Sequence, residues 1–181
     1  MSDTTSPERE RYIFKVILLG DGAVGKTSLI RRYMEGKFKI DYLPTIGAQI
    51  YTKAIQDERG ASAKLVVWDI SGQPAFRSIR SDYFKGARGI VLVFDLTRPE
   101  TLEHLDSWVN EAVKYTRTPR IVVAGSKCDL EHDRKVLPES GEGYASKVNG
   151  KYLETSAKDG RNVEKLFTVL TDLLMRDSSS S

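Results

Sequence analysis

Eight consecutive residues, Gly20-Asp21-Gly22-Ala23-Val24-Gly25-Lys26-Thr27, follow an apolar run and open a helix-like segment. They fit G-x-x-x-x-G-K-[ST] in the strand–loop–helix setting that gives this pattern its meaning. Glycines let the main chain curl until successive N–H groups point inward as an anion nest. The following helix start adds partial positive charge. The backbone from Gly22 through Ala23, Val24 and Gly25 is therefore expected to surround phosphate oxygens. Lys26 is placed to reach the β- and γ-phosphates, and Thr27 to offer a hydroxyl to Mg²⁺, with Ser28 beside it on the helix. Gly20, Gly22 and Gly25 also fit G-x-G-x-x-G, the dinucleotide fingerprint. That motif wants an acidic residue ending the next parallel strand about 20 residues on. Here the next strand comes later and has the look of a hairpin arm, so the phosphate-loop reading is preferred. It is also preferred over a glycine-rich turn without a ligand.

Further pieces of chemistry sit at the ends of other strand-like runs. Ser126-Lys127-Cys128-Asp129 follows Ile121–Gly125, and loops after the carboxyl ends of parallel strands are where α/β sheets bind ligands. The Asp129 carboxylate can accept both N1–H and the 2-amino group of guanine, a donor pair that adenine lacks. The alkyl stem of Lys127 can lie on a base face. Thr155-Ser156-Ala157-Lys158 ends another run and offers a backbone N–H to guanine O6. Asp129 alone would read more simply as a loop cap; beside a phosphate loop the base-reading role is favoured. Asp69 ends a third run and is a candidate to orient Mg²⁺ waters. Gly72 after it lets a backbone N–H approach a γ-phosphate. Gln73 has an amide that both donates and accepts, so it can hold an attacking water. Thr45, in Leu43-Pro44-Thr45-Ile46-Gly47, is a candidate second hydroxyl for the metal.

These pieces need a frame, and the sequence supplies one. With 181 residues the chain is one domain that can bury about 70% of its extended surface. One cysteine excludes a disulfide scaffold, and two histidines with that cysteine cannot complete a four-ligand zinc site without carboxylates. A net charge of +3 from 28 basic and 25 acidic residues gives no argument for nucleic acid. Strand candidates are Ile13–Leu19, Gln49–Ile55, Leu65–Asp69, Ile90–Asp95, Ile121–Ala124 and Lys151–Glu154. Helix candidates lie near 26–35, 75–85, 100–115, 139–148 and 162–175. The last carries Val163, Leu166, Phe167, Leu170, Leu173 and Leu174 with a 3.6-residue period. The alternation predicts an α/β fold with helices on both faces of a mostly parallel sheet. The second and third strands are separated only by a short turn containing Gly60, so one edge strand should run antiparallel. Residues 1–11 and 177–181 are polar and are expected to be flexible tails around a domain spanning 12–176.

From about Phe14 to Met175 the chain resembles a small Ras-superfamily GTPase, most like the Rab branch. The segments that carry the likeness are Gly20–Ser28, Tyr42–Gly47, Trp68–Phe76, Tyr83–Ala87 and Glu154–Lys158. The resemblance implies the phosphate-loop GTPase fold, with six strands and five helices. It implies GTP/GDP and Mg²⁺ as ligands, slow hydrolysis, and Phe38 packing on the guanine. It also implies an activating protein, an exchange factor and effectors as partners. Four features differ from the family pattern. Ser126 stands where an asparagine usually ties the base loop to the phosphate loop. Pro74 replaces an acidic residue. Ala48-Gln49-Ile50 replaces a valine–aspartate–phenylalanine trio. C-terminal cysteines for lipidation are missing from the sequence. Serine is shorter than asparagine and has one donor hydrogen, so faster GDP release is expected.

Two other function classes compete with this reading. A phosphate-loop kinase or ATPase would want a lid-like arginine cluster. A nucleotide-locked scaffold would bind GTP and hardly hydrolyse it, which Gln73 and Gly22 oppose. The expected location is cytoplasmic, with peripheral membrane attachment only through a lipidated tail beyond this sequence. An apolar patch from Ile50, Trp68 and Tyr83 is a candidate effector surface.

Overall fold

The computed structural model describes residues 12–39, 43–56 and 62–179. The expected N-terminal tail, Tyr42, the turn at Gly60 and the last two serines lie outside them.

Six strands form one sheet in the order β2-β3-β1-β4-β5-β6. They are β1 (Tyr12–Leu19), β2 (Ala48–Gln56), β3 (Ser62–Ile70), β4 (Gly89–Asp95), β5 (Arg120–Ser126) and β6 (Lys151–Thr155). The β2–β3 pair is antiparallel, in a register that sets Gln49 opposite Asp69 and Ala48 opposite Ile70. The remaining pairs are parallel. The helices are α1 (Lys26–Glu35), α2 (Arg80–Phe84), α3 in two segments (Glu100–Glu103 and Leu105–Ala112), α4 (Pro138–Lys147) and α5 (Val163–Ser179).

The side-chain period of two divides β1 between two cores. Val16 and Leu18 join Leu29, Ile30, Phe167, Leu170 and Leu174 on the face covered by α1 and α5. Ile17 and Leu19 join Phe84, Leu105, Trp108 and Ala112 on the face covered by α2 and α3. β4, at the centre, is buried at every residue. A strand covered on both faces reads as a continuous apolar run, which is how Ile90–Phe94 reads in the sequence.

Two expectations need correction. Segment 75–85 is not one α-helix: Pro74–Ile79 is 3₁₀, and only Arg80–Phe84 is α. Proline keeps the preceding residue out of α geometry, and Gln73 is extended (φ −76°, ψ 137°). Residues 177–179, expected to belong to a tail, are helical, because α5 runs to Ser179. Asp177 forms a bidentate ion pair with Arg120 on β5, which fixes the last turn against the sheet. Among the described residues no helix is long and apolar enough to cross a membrane.

Candidate functional site

At the carboxyl ends of β1, β3, β5 and β6 lies a cleft of about 530 Å³. It gathers residues from five separate stretches of sequence. Gly22, Ala23, Gly25, Lys26, Thr27 and Ser28 line one end. Ser126, Lys127, Asp129, Ala157 and Lys158 line the other, and Phe38, Thr45, Gly72 and Gln73 border the space between. Val24 belongs to the core on the α1 side. Asp69 and Ser156 are fully buried behind the lining.

At the phosphate-loop end, Gly25 caps α1 with φ 105°, a conformation side chains resist. The first turn of α1 has no acidic residue, so its N–H groups and dipole remain favourable to an anion. Lys26 Nζ donates to the Gly20 and Asp21 carbonyls at 2.6 and 2.8 Å. Burial lowers its pKa to about 8, with Asp69 and Asp21 opposing and Arg80 and Arg98 adding to the drop. A buried ammonium held only by carbonyls is short of negative charge. Gly72 lies against the loop: a Cβ there would stand 2.3 Å from the Asp21 carbonyl carbon. No other residue fits that approach.

The hairpin register carries Thr45 to Asp69. Thr27 Oγ1 lies 2.9 Å from Thr45 Oγ1, and both hydroxyls donate to Asp69 Oδ2. Asp69 Oδ1 is buried with no hydrogen-bond partner among the described residues. Burial raises the Asp69 pKa; Thr27 and Lys26 oppose the rise. Two hydroxyls and one buried carboxylate, whose Oδ1 has no partner among the described residues, form a hard oxygen set of the kind Mg²⁺ accepts.

At the other end, Asp129 Oδ1 accepts the Ser156 hydroxyl at 2.7 Å, which orients the carboxylate. Arg32, on α1, is a residue that sequence reasoning missed. Its guanidinium donates to the carbonyls of Ala157 (2.7 Å), Lys158 and Gly36 (2.9 Å). One side chain thereby joins the base loop to the end of α1 and the segment leading to Phe38. Phe38 is partly exposed at the rim.

The glycine-rich loop before α1 and the Asp129 carboxylate thus face one cleft at the carboxyl edge of this sheet. The family model described as "Ras family" matches residues 15–176. The chain belongs to the Ras family. Ras-related protein Rab-39A of Homo sapiens is 40% identical over 168 residues, covering 88% of this chain and 76% of that one. Ras-related protein RIC1 of Oryza sativa subsp. japonica is 38% identical over 166 residues, covering 91% and 81%. Ras-related protein SEC4 of Candida albicans is 37% identical over 171 residues, covering 94% and 81%. As a Ras-family, Rab-like small GTPase, the protein binds GTP and GDP and works with regulators and effectors.

In this Ras-family protein the outside of the phosphate loop is braced by α3. The Asp21 carboxylate contacts His104 Nδ1 at 2.6 Å and accepts Trp108 Nε1–H at 3.0 Å. Arg80 stacks on Trp108 at 4.1 Å and donates to the Gln73 carbonyl at 2.6 Å. That carbonyl also accepts the Phe76 N–H, so Gln73 is held through its backbone with its side chain at the cleft. On the β2–β3 pair, Ile50 is exposed and its partner Trp68 is half-buried, 5.9 Å from Tyr83.

The hydrogen bond and charge of Asp21 raise the His104 pKa. A raised histidine contributes stability that is complete below its ordinary value of about 6.5 and is lost as pH rises through the elevated value. Thermal melts should therefore show wild type losing part of its advantage over His104→Asn as pH rises above about 6.5. A difference that does not vary with pH across that range would remove the charged pair from the account.

Proposed function

We propose that this protein is a Mg²⁺-dependent GTP/GDP switch with slow intrinsic hydrolysis, acting in a Rab-like role in membrane trafficking or related signalling. The observation that supports it most is one cleft that joins Lys26, Thr27, Thr45 and Gln73, with Asp69 hydrogen-bonded to both threonines behind it, to Asp129 at the other end.

Lys26 and the N–H groups from Gly22 to Ser28 bind the phosphates. Lys26 exchanges two carbonyl partners for anionic oxygens, relieving its buried charge. Thr27, Thr45 and Asp69 would hold Mg²⁺, which supplies charge neutralisation on the phosphates. Asp129, oriented by Ser156, accepts from guanine. Ala157 offers its N–H, while Lys127 and Phe38 cover the base. Gln73 orients the attacking water, and Gly72 brings its N–H to the γ-phosphate. Thr45 and Gly72 belong to segments whose order depends on the γ-phosphate, so hydrolysis releases both.

Gln73→Leu tests the hydrolytic part. Leucine cannot orient water, so single-turnover phosphate release should fall by roughly 100-fold or more with GDP affinity nearly intact. An unchanged rate would move the water-orienting role away from Gln73, whereas wild-type protein that binds GTP and releases almost no phosphate would favour the nucleotide-locked scaffold. Unassisted Ras hydrolyses GTP at roughly 10⁻⁴ s⁻¹, and wild-type turnover of that order is expected here.

A further inference from the structure

Asp95, the last residue of β4, is completely buried. Its Oδ2 accepts Lys127 Nζ at 2.6 Å and Arg98 Nε at 3.1 Å. Its Oδ1 accepts the Thr97 N–H and hydroxyl at 2.9 and 2.7 Å. Burial opposes ionisation, but the Lys127 and Thr97 hydrogen bonds outweigh it and hold the carboxyl below the usual range. Arg98 continues past Asp95 and donates Nη2–H to the Gly22 carbonyl at 3.1 Å. A buried anion thus stands between a cation of the base loop and a cation bonded to the phosphate loop. Breaking either contact leaves a buried charge less well compensated, which is costly.

Ser126 is the other point where the two loops meet. It lies against Gly25, its Oγ only 2.8 Å from where a Cβ on that glycine would stand. An asparagine, as in the resembled family, would reach about one bond farther than this serine.

We propose that Lys127–Asp95–Arg98 ties the base loop to the phosphate loop, and that Arg98, acting through the Gly22 carbonyl, is a positioning residue that sets how long GDP stays bound. This rests on the reading of the cleft as the guanine-nucleotide site. Base and phosphate loops must separate for the nucleotide to leave, and the tie opposes that separation. It offsets the fast release expected from Ser126. Hydrolysis should change little when the tie is cut, because Gln73 is held directly by Arg80 and by the adjoining Pro74 rather than by Arg98.

The test is release of a fluorescent GDP analogue into excess GDP at fixed Mg²⁺ and temperature, with single-turnover phosphate release from GTP-loaded protein measured in parallel. Arg98→Ala should release the analogue about tenfold faster, as expected for loss of a hydrogen bond from a charged donor. Arg98→Lys keeps a cation beside Asp95 and so protects folding. Its single ammonium lacks the fork needed to hold Asp95 and Gly22 together, so release should lie between wild type and Arg98→Ala. Phosphate release should stay within about twofold in both variants, a split that a general loss of structure would not produce. Wild-type release rates in both variants overturn the proposal, as does a fall in phosphate release that parallels the faster GDP release. If the wild-type protein does not retain the GDP analogue at all, the nucleotide-site reading fails, and the tie fails with it.

Discussion

Lys26→Ala should bind GDP roughly 30- to 5,000-fold more weakly than wild type, corresponding to about 2–5 kcal/mol for removing one partner of a buried charge pair. The reason lies in the surroundings of the ammonium. It is buried, and it is held by the Gly20 and Asp21 carbonyls. The loop N–H groups and the α1 dipole would still face the phosphates, but among the described residues no other cation lines that end of the cleft from within the loop. Titration calorimetry with GDP gives the number directly. Nucleotide-free thermal stability should rise or stay level, because the substitution removes a charge whose burial is unfavourable. Tight GDP binding by this variant would move the phosphate site elsewhere.

Asp129→Asn should change which base the protein prefers. The carboxylate accepts from two guanine donors, and each hydrogen bond to a charged group is worth about 1.5–3 kcal/mol, so GDP affinity should fall by roughly 10²–10⁴-fold. Xanthine presents a carbonyl where guanine has its amino group, and the asparagine amide supplies the matching donor. Xanthosine diphosphate should accordingly become the better ligand. Ser156 makes the prediction sharper. Its hydroxyl donates to Asp129 Oδ1, and it can equally donate to an amide oxygen, which leaves the amide nitrogen directed toward the base. Competition between the two diphosphates on the variant measures the switch. Unaltered GDP preference would exclude Asp129 as the base reader.

The sequence alone determined the parts whose geometry is set by near neighbours in the chain. The Gly20–Thr27 loop is legible because its glycines, the preceding apolar run and the following helix fix the backbone locally. The antiparallel edge is legible because the short turn near Gly60 leaves no room for a crossover. Asp129 and Gln73 could be singled out because strand ends are recognisable and α/β sheets place ligands there. The tertiary structure decided what depends on contacts between distant segments. Arg32 meets Ala157, 125 residues away, and Arg98 meets Gly22, 76 residues away. Both donate to main-chain carbonyls, which every residue possesses, so the acceptors carry no mark in the sequence. Asp95 reads as the end of a buried strand; only the juxtaposition of β4 and β5, which pairs it with Ser126, brings it beside Lys127. His104 and Trp108 likewise read as ordinary helix residues until the sheet sets α3 against Asp21. The extra turn of α5 follows the same rule, since Arg120 holds it through a partner that packing, not sequence spacing, brings within reach, whereas the 3₁₀ segment from Pro74 is set locally, by the proline and by the Arg80 bond to Gln73 seven residues before it.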